Sequence, residues 1–385
     1  MTSKKRPRIA FVSLLDNGSW GASEYLWSET ARLLVKNGHE VIACIHGGAK
    51  RPPPLDRLSL DCVSLIERFP PRGARLRDFV NQLRHPGRVD TMQAQAIGRV
   101  LRHQPDLVLI SCTWATNPGL AGWCEHLQTA GIRYAVLIHT HVGHWWPLEP
   151  SATRLGNALA KAESVYFVSE DNREMLVRQL GLPVARTSVV RNPLAIDRDT
   201  APPWPSGPEA RLACVGRLDP AQKGQDILLA CLHDARWRDR SVTVGFFGEG
   251  PARDRLGELA TGLRDGLVTF HGHVDRPASI WETHHLLVFP SRFEGLGLVV
   301  AEAQLCGRPV LITDCAAREL VIDGETGFIA ASATVPALQA ALDRAWSRRA
   351  DWPQMGAAAR QHMLKLLPPD PVGDFAQALR TLCAS

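Results

Sequence analysis

Glu294 and Glu302 stand eight positions apart in the run Pro290-Ser-Arg-Phe-Glu-Gly-Leu-Gly-Leu-Val-Val-Ala-Glu302. The residue types around them suit one kind of ligand. Gly295 and Gly297 let backbone approach a bound molecule closely, and Leu296 lies between them. The apolar pattern from Leu298 and Val299 through Leu305, closed by Gly307 and Pro309, predicts a helix whose first N–H groups attract an anion. Glu294, in the loop, can accept hydrogen bonds from hydroxyls. Glu302, read as about two turns into the helix, can reach back over the same ligand. A polyhydroxylated molecule that carries phosphates satisfies all of these groups at once.

Other groups fall at predicted strand ends. Arg217 and Lys223 follow the apolar run Leu212-Ala-Cys-Val-Gly216, and an arginine fork beside a lysine suits a diphosphate; two solvated cations are the plain alternative. Gly248-Glu-Gly-Pro251 ends a second run. Phe270-His-Gly-His-Val274 ends a third and can present backbone groups to a planar base. In the first half, Asn17-Gly18-Ser-Trp-Gly21-Ala-Ser23 reads as a turn offering N–H groups, and its spacing is not the GxGxxG of nicotinamide sites. His139, His141 and His144 share a spacing with zinc hydrolases, but Gly143 stands where those carry aspartate, so no metal site is expected and His139 reads as a ligand-facing group. Asp197-Arg-Asp199 has the DxD form that holds metal-bound diphosphates, yet it lies between predicted sheets and reads as a solvated pair. From Arg68 to Arg102 eight arginines face two aspartates, a stretch suited to an anionic acceptor or a peripheral membrane contact, or simply solvated.

These groups need strands and helices to position them. Apolar runs alternate with helical patterns along all 385 residues, which predicts an α/β architecture with parallel sheets. Runs at 9–15, 41–45, 107–111, 134–139, 165–169 and 188–190 make up the first half. A second series begins at 212 and continues at 242–247, 268–271, 286–290, 310–313 and 328–330. The expected organisation is a first Rossmann-like domain over 1–195, a linker over 196–209 rich in proline, a second Rossmann-like domain over 210–369, and a helix over 370–385. That amphipathic helix either covers its own domain or crosses back to the first. Two doubly wound domains facing a central cleft would put ligand groups at the carboxyl ends of their strands.

Composition excludes several classes. Hydrophobic content of 45% and charged content of 22% are those of an ordinary globular chain, and a formal charge of +5 does not call for nucleic acid. No apolar run has the length of a membrane span. The nine cysteines contain no CxxC pair and read as reduced, buried thiols, which points to a cytoplasmic protein, peripheral at most to the inner membrane face.

The chain resembles the retaining glycosyltransferases of family 4, which have the GT-B fold. The resemblance rests on Gly216-Arg-Leu with Lys223-Gly, Gly248-Glu-Gly-Pro, Phe270-His-Gly-His-Val, the EX7E pattern of Glu294 and Glu302, and Glu319 with Asp323-Gly-Glu-Thr-Gly327. It is looser in the first half. It implies transfer of a sugar from a nucleotide-diphosphate sugar, a UDP- or GDP-sugar, to a hydroxyl acceptor, with retained anomeric configuration and neither metal nor cofactor. It assigns Arg217 and Lys223 to the diphosphate, Glu294 to the donor sugar, Glu302 to the ribose, the Leu298 and Val299 N–H groups to the phosphates, and His139 to the sugar from the first domain. Gly21-Ala22 and Ala316-Ala317 replace common glycine pairs, so donor identity does not carry over. An epimerase or phosphorylase on the same scaffold, and a non-catalytic sugar-nucleotide binder, are the rival readings.

Overall fold

The computed structural model describes residues 6–15, 21–47, 53–61, 63–68, 91–143 and 145–384. The chain divides into two units: Met1–Pro193 together with Asp370–Ser385, and Leu194–Pro369. The first unit holds β1 (Arg8–Ser13), β2 (Glu40–His46), β3 (Ser64–Arg68), β4 (Leu107–Trp114), β5 (Tyr134–Thr140), β6 (Val165–Phe167) and β7 (Thr187–Val189). Among the described residues these form one sheet in the order β3-β2-β1-β4-β5-β6-β7, parallel at every pairing. The second unit holds β8 (Ala210–Val215), β9 (Val242–Phe247), β10 (Val268–Gly272), β11 (Leu286–Phe289), β12 (Val310–Thr313) and β13 (Gly327–Ala330). Their order is β10-β9-β8-β11-β12-β13.

Both sheets reverse direction of winding once, between β1 and β4 and between β8 and β11. Such a reversal opens a crevice at the carboxyl ends, because the flanking connections leave on opposite faces. The central strands are continuous apolar runs, since helices cover both faces: every residue of β5 is buried, and so is every residue of β11 and β12. The helix Ala22–Lys36 turns Leu26, Trp27, Ala31 and Leu34 inward, all fully buried. Ser169 caps the helix Glu170–Leu180 through its hydroxyl, which accepts the Asn172 N–H at 3.3 Å.

All six strands expected in the second half are present, with ends shifted by up to two residues. In the first half β3 is additional. Its sequence, Ser-Leu-Ile-Glu-Arg, is short and half polar because it is the outer strand of its sheet. This strand also corrects the reading of the basic stretch. Arg68 is buried, not solvated, and donates to the Ser13 carbonyl, while Arg99 donates to the Glu67 carbonyl at 2.8 Å. Residues 69–90, which carry most of that stretch, lie outside the described residues.

The C-terminal helix Pro371–Ala384 belongs to the first unit. It lies on the helix Ala22–Lys36 and buries Phe375, Ala376 and Leu379. Phe375 meets Tyr166 of β6 edge-on at 5.1 Å, and Arg133 donates to the Leu382 carbonyl at 2.6 Å. Burying Phe375 and Leu379 contributes roughly 1.5–3 kcal/mol each.

The proline-rich stretch expected as a linker is fastened to the second unit. Arg308 is buried and donates to the carbonyls of Pro203 (2.6 Å), Pro202 (3.3 Å), Cys306 (2.8 Å) and Trp281, and it lies 5.2 Å over the Trp204 ring. Burial lowers its pKa to about 10. Carbonyl oxygens, which accept but carry no full charge, solvate this guanidinium in place of water. No described helix is long and apolar enough to cross a membrane.

Candidate functional site

In the second unit the loops leaving β8, β9 and β10 are laced together by backbone hydrogen bonds. Gly216 N–H donates to the Phe247 carbonyl (2.9 Å), Leu218 N–H to that of Glu249 (2.9 Å), and Gly248 N–H to that of Gly272 (2.7 Å). Gly248 has φ 130°, and a side chain there would collide with the Gly216 carbonyl. Only glycine allows these two loops to touch. Val274 follows two residues after Gly272 and is half-buried.

The loop leaving β11 is fixed to the segment after β8. Arg292 grips Asp226 with two bonds of 2.8 Å and donates to the Pro220 carbonyl at 2.5 Å. Its own N–H reaches the Gln222 carbonyl at 2.8 Å. Gly224, φ 65°, presses against the Pro290 carbonyl so closely that any Cβ would clash with it. Lys223, the residue before, is thereby set beneath the loop.

Its ammonium donates to Glu294 Oε1 at 2.7 Å. The lysine side chain is 19% exposed and the glutamate 6%, so this is a charge-assisted bond shielded from water. Lys223 also stands 5.5 Å over the Phe289 ring. Thr313 of β12 donates to the Ser291 carbonyl and holds the same loop from the other side. The Cys315 thiol, next along, is pushed up to about 12 by burial, with the Glu294 charge adding to it.

Gly295, Leu296 and Gly297 are buried. Gly297, φ 80°, is the N-cap of the helix Leu298–Leu305, and Leu298 and Val299 supply its first N–H groups, which have no partner within the helix. Glu302 is the fifth residue of that helix, so it lies one turn in rather than two. It is buried, its pKa is raised by that burial, and its Oε1 accepts a long 3.4 Å bond from Ala195 N–H.

The sequence-predicted residues thus separate into groups. Lys223 and Glu294 are brought into contact. Arg217 is not with them: it is 56% exposed and paired with Asp219 at 2.6 Å. The DxD segment is a capped turn, since Asp197 accepts the Asp199 N–H (2.9 Å) and the Thr200 hydroxyl (2.8 Å). Arg198 between them is spent on the carbonyls of Leu364, Leu367 and Pro368. Residues outside the expected set hold the site in place: Arg292 with Asp226, Gln225, whose amide donates to the Arg217 carbonyl at 2.8 Å, and Thr313. Arg292 lay within the glutamate run, but nothing local marks Asp226, sixty-six positions away, as its partner.

In the first unit, His139 is buried at the end of β5, with Nε2 3.2 Å from Ser111 Oγ. Among the described residues Nδ1 has no partner. Burial lowers its pKa to about 3, so the ring is neutral at ordinary pH. His141 turns elsewhere, its Nε2 2.8 Å from Gln179 Oε1, and His144 lies outside the described residues. No group of three potential metal ligands is found among the described residues. Gly21 is the N-cap of the helix Ala22–Lys36, and its carbonyl accepts the Glu24 N–H at 2.9 Å; residues 16–20 of that turn lie outside the described residues. Glu24 itself is buried beside Trp27, whose indole N–H it accepts at 3.0 Å. Its pKa is raised to about 7 by burial, against the pull of hydrogen bonds from Ser13 and Trp27 and the Arg68 charge.

Known proteins share both halves. Residues 23–198 match the model of glycosyltransferase family 4, and residues 209–348 match that of glycosyl transferases group 1. A D-inositol 3-phosphate glycosyltransferase of Xylanimonas cellulosilytica is 31% identical over 371 residues, 86% of each chain. A GDP-mannose-dependent α-(1-6)-phosphatidylinositol monomannoside mannosyltransferase of Mycolicibacterium smegmatis is 29% identical over 263 residues, 62% of this chain and 67% of that one. Against several other curated relatives the match spans about half of their length, 52% in one case and 50% in another. Among solved structures, Anabaena Alr3699/HepE in complex with UDP superposes with a TM-score of 0.72 over 97% of this chain and 100% of its own, at 18% identity, a likeness of fold alone. With family models matching both halves and one relative matched over 86% of each chain, the chain belongs to the family 4, group 1 glycosyltransferases of the GT-B fold.

Proposed function

We propose that this glycosyltransferase moves a sugar from a nucleotide-diphosphate sugar to a hydroxyl acceptor, retaining anomeric configuration and using no divalent metal. The observation that carries the reading is the Lys223–Glu294 contact at 2.7 Å beside the first turn of the helix Leu298–Leu305. A cation, a hydroxyl acceptor and free helical N–H groups stand together at the edge where such sheets bind ligands.

In this reading Glu294 accepts hydroxyls of the donor sugar, and Lys223 shifts towards the diphosphate. Arg217, exposed on its loop, swings from Asp219 to join it. As the sugar–phosphate bond breaks, negative charge builds on the departing diphosphate. Lys223, Arg217 and the N–H groups of Leu298 and Val299 are aimed at that charge. These groups offset it without a metal. The acceptor oxygen attacks on the face the leaving group vacates, and its proton passes to a departing phosphate oxygen. Glu302 holds the ribose. In the first unit the reading assigns His139, neutral and hydrogen-bonded through Nε2, to hydrogen bonding rather than charge. One relative is GDP-mannose-dependent and one structural neighbour is in complex with UDP, which makes a UDP- or GDP-sugar the donor class to try first.

Thermal-shift screening against nucleotides and nucleotide sugars tests donor binding, since a ligand at 100 times its Kd adds about 2.7 kcal/mol. Product analysis by NMR reads the anomeric outcome, and EDTA tests the metal. Glu294→Ala and Lys223→Ala should each slow transfer at least about 100-fold with the fold intact. Near-wild-type rates in both variants, an inverted product, or activity lost to EDTA and restored by Mn²⁺ would each overturn the corresponding part.

A further inference from the structure

The segment after β5 carries Trp145, Trp146 and Leu148 at 49%, 63% and 75% exposure. The other exposed large apolar side chains among the described residues stand singly, which is ordinary for a protein surface. Three within four positions is not. Trp145 is held in place: its ring lies 5.5 Å from that of Trp114, at the end of β4, and its N–H donates to the Val142 carbonyl at 3.1 Å. The segment therefore presents one packed indole, Trp145, followed by the more exposed Trp146 and Leu148, at the carboxyl edge of the first sheet, a few residues beyond His139.

Charge selects among occupants. Between His141 and Thr153 the only Asp, Glu, Lys or Arg is Glu149. Arg154, next along the chain, is held by both oxygens of Glu125 at 2.5 and 2.6 Å. Anionic lipid surfaces attract through clustered lysine and arginine, and an acidic side chain opposes them. An uncharged ring with an apolar face needs no such cations, and an indole already packed in place, as Trp145 is, meets it at little entropic cost.

We propose that Trp145, Trp146 and Leu148 form a stacking platform for a sugar ring of the acceptor, so that the acceptor is a carbohydrate chain. This rests on the glycosyl-transfer reading above and names its acceptor class. Trp146 and Leu148 are the contacts to remove, because Trp145 is packed on Trp114.

The test is retention on an array of unmodified pyranose oligosaccharides, with UDP or GDP present, for wild type, Trp146→Ala, Trp146→Phe and Leu148→Ser. The same proteins are sedimented with phosphatidylcholine–phosphatidylglycerol vesicles and weighed by light scattering. Wild type should be retained on at least one glycan. Trp146→Ala should bind it about tenfold more weakly, with Trp146→Phe close to wild type, and neither vesicle binding nor molecular mass should depend on Trp146. The platform is overturned if wild type is retained by no glycan, if Trp146→Ala binds equally well, or if Trp146 instead governs vesicle binding or self-association. Donor-induced thermal shifts read the transfer hypothesis separately. Their absence alongside Trp146-dependent glycan binding would remove the donor reading and leave the platform standing.

Discussion

Replacing Lys223 by methionine removes one charge and little else. The side-chain stem still fills the space beside Gly216, where the lysine Cδ and Cε now lie, while the cation 5.5 Å over Phe289 goes with the charge. Glu294, 6% exposed, loses its ammonium partner at 2.7 Å. Breaking a buried pair from one side costs about 3–5 kcal/mol. The 19% exposure of Lys223 puts this case at the lower end, about 3 kcal/mol. Glu294→Gln leaves an ammonium that keeps some water, and should cost about 2 kcal/mol. If the two groups act on each other, the double variant costs about 3 kcal/mol rather than 5, a coupling near 2 kcal/mol. For a unit the size of Leu194–Pro369, each kcal/mol moves Tm by about 2–4 °C. Lys223→Met should therefore lower it by roughly 6–12 °C. Thermal and denaturant unfolding, with hydrogen exchange of peptides covering β8, β11 and the helix Leu298–Leu305, measure the cycle in the correct unit. Single costs that add to within about 0.5 kcal/mol would refute the pair as a coupled element, and with it the account of how the site is held before donor binds.

Further outcomes follow from backbone and burial. Gly224→Ala puts a Cβ into the Pro290 carbonyl at φ 65°. It should cost more than about 2 kcal/mol and weaken donor-induced stabilisation, whereas an alanine variant as stable as wild type would show that the two loops do not need this contact. His139 and His284 have folded-state pKa values lowered by burial to about 3 and about 4. Both are neutral in folded and unfolded chains above about pH 6.5, so their full stability is present there. As pH falls from 6.5 towards 4 the unfolded chain takes up protons that the folded one refuses, and each costs on the order of 1 kcal/mol per pH unit; a flat denaturation midpoint from pH 7 to 5 in His139→Gln, His284→Gln and wild type alike would contradict this. Glu24 has the opposite sign, with a folded pKa raised to about 7. Its contribution is complete below the unfolded value near 4.5 and is lost as pH rises through 7, so Glu24→Gln should be more stable than wild type at pH 8 and equal to it at pH 4.

The buried strands were the most legible part of the fold. A parallel strand covered on both faces is written as an unbroken apolar run, as in β5 and β11, and short-range reading suffices to find it. β3 escaped because an outer strand needs no such run, and its last residue, Arg68, looked like the start of a solvated basic region. Arg308 shows the same limit: one arginine in a turn before Pro309 gives no sign that it will be buried beneath Pro202 and Pro203.

The amino-acid sequence alone determined the two doubly wound sheets and the family, and it singled out the residues we propose for a phosphate-bearing sugar, because these depend on local period and on short motifs. Glu294, Gly295, Gly297 and the helix start are contiguous, so their joint placement follows from a dozen residues. Tertiary structure decided the rest. It set Lys223 on Glu294, seventy-one positions away, left Arg217 on Asp219, turned the DxD into a capped turn, and returned the last helix to the first unit. The first and last of these depend on a partner far along the chain, the Glu294 carboxylate for Lys223 and the Leu382 carbonyl for Arg133, while Arg217 and Asp197 close onto residues two or three positions away. Charge type in a sequence says only that a partner must exist; packing of remote loops decides which one it is.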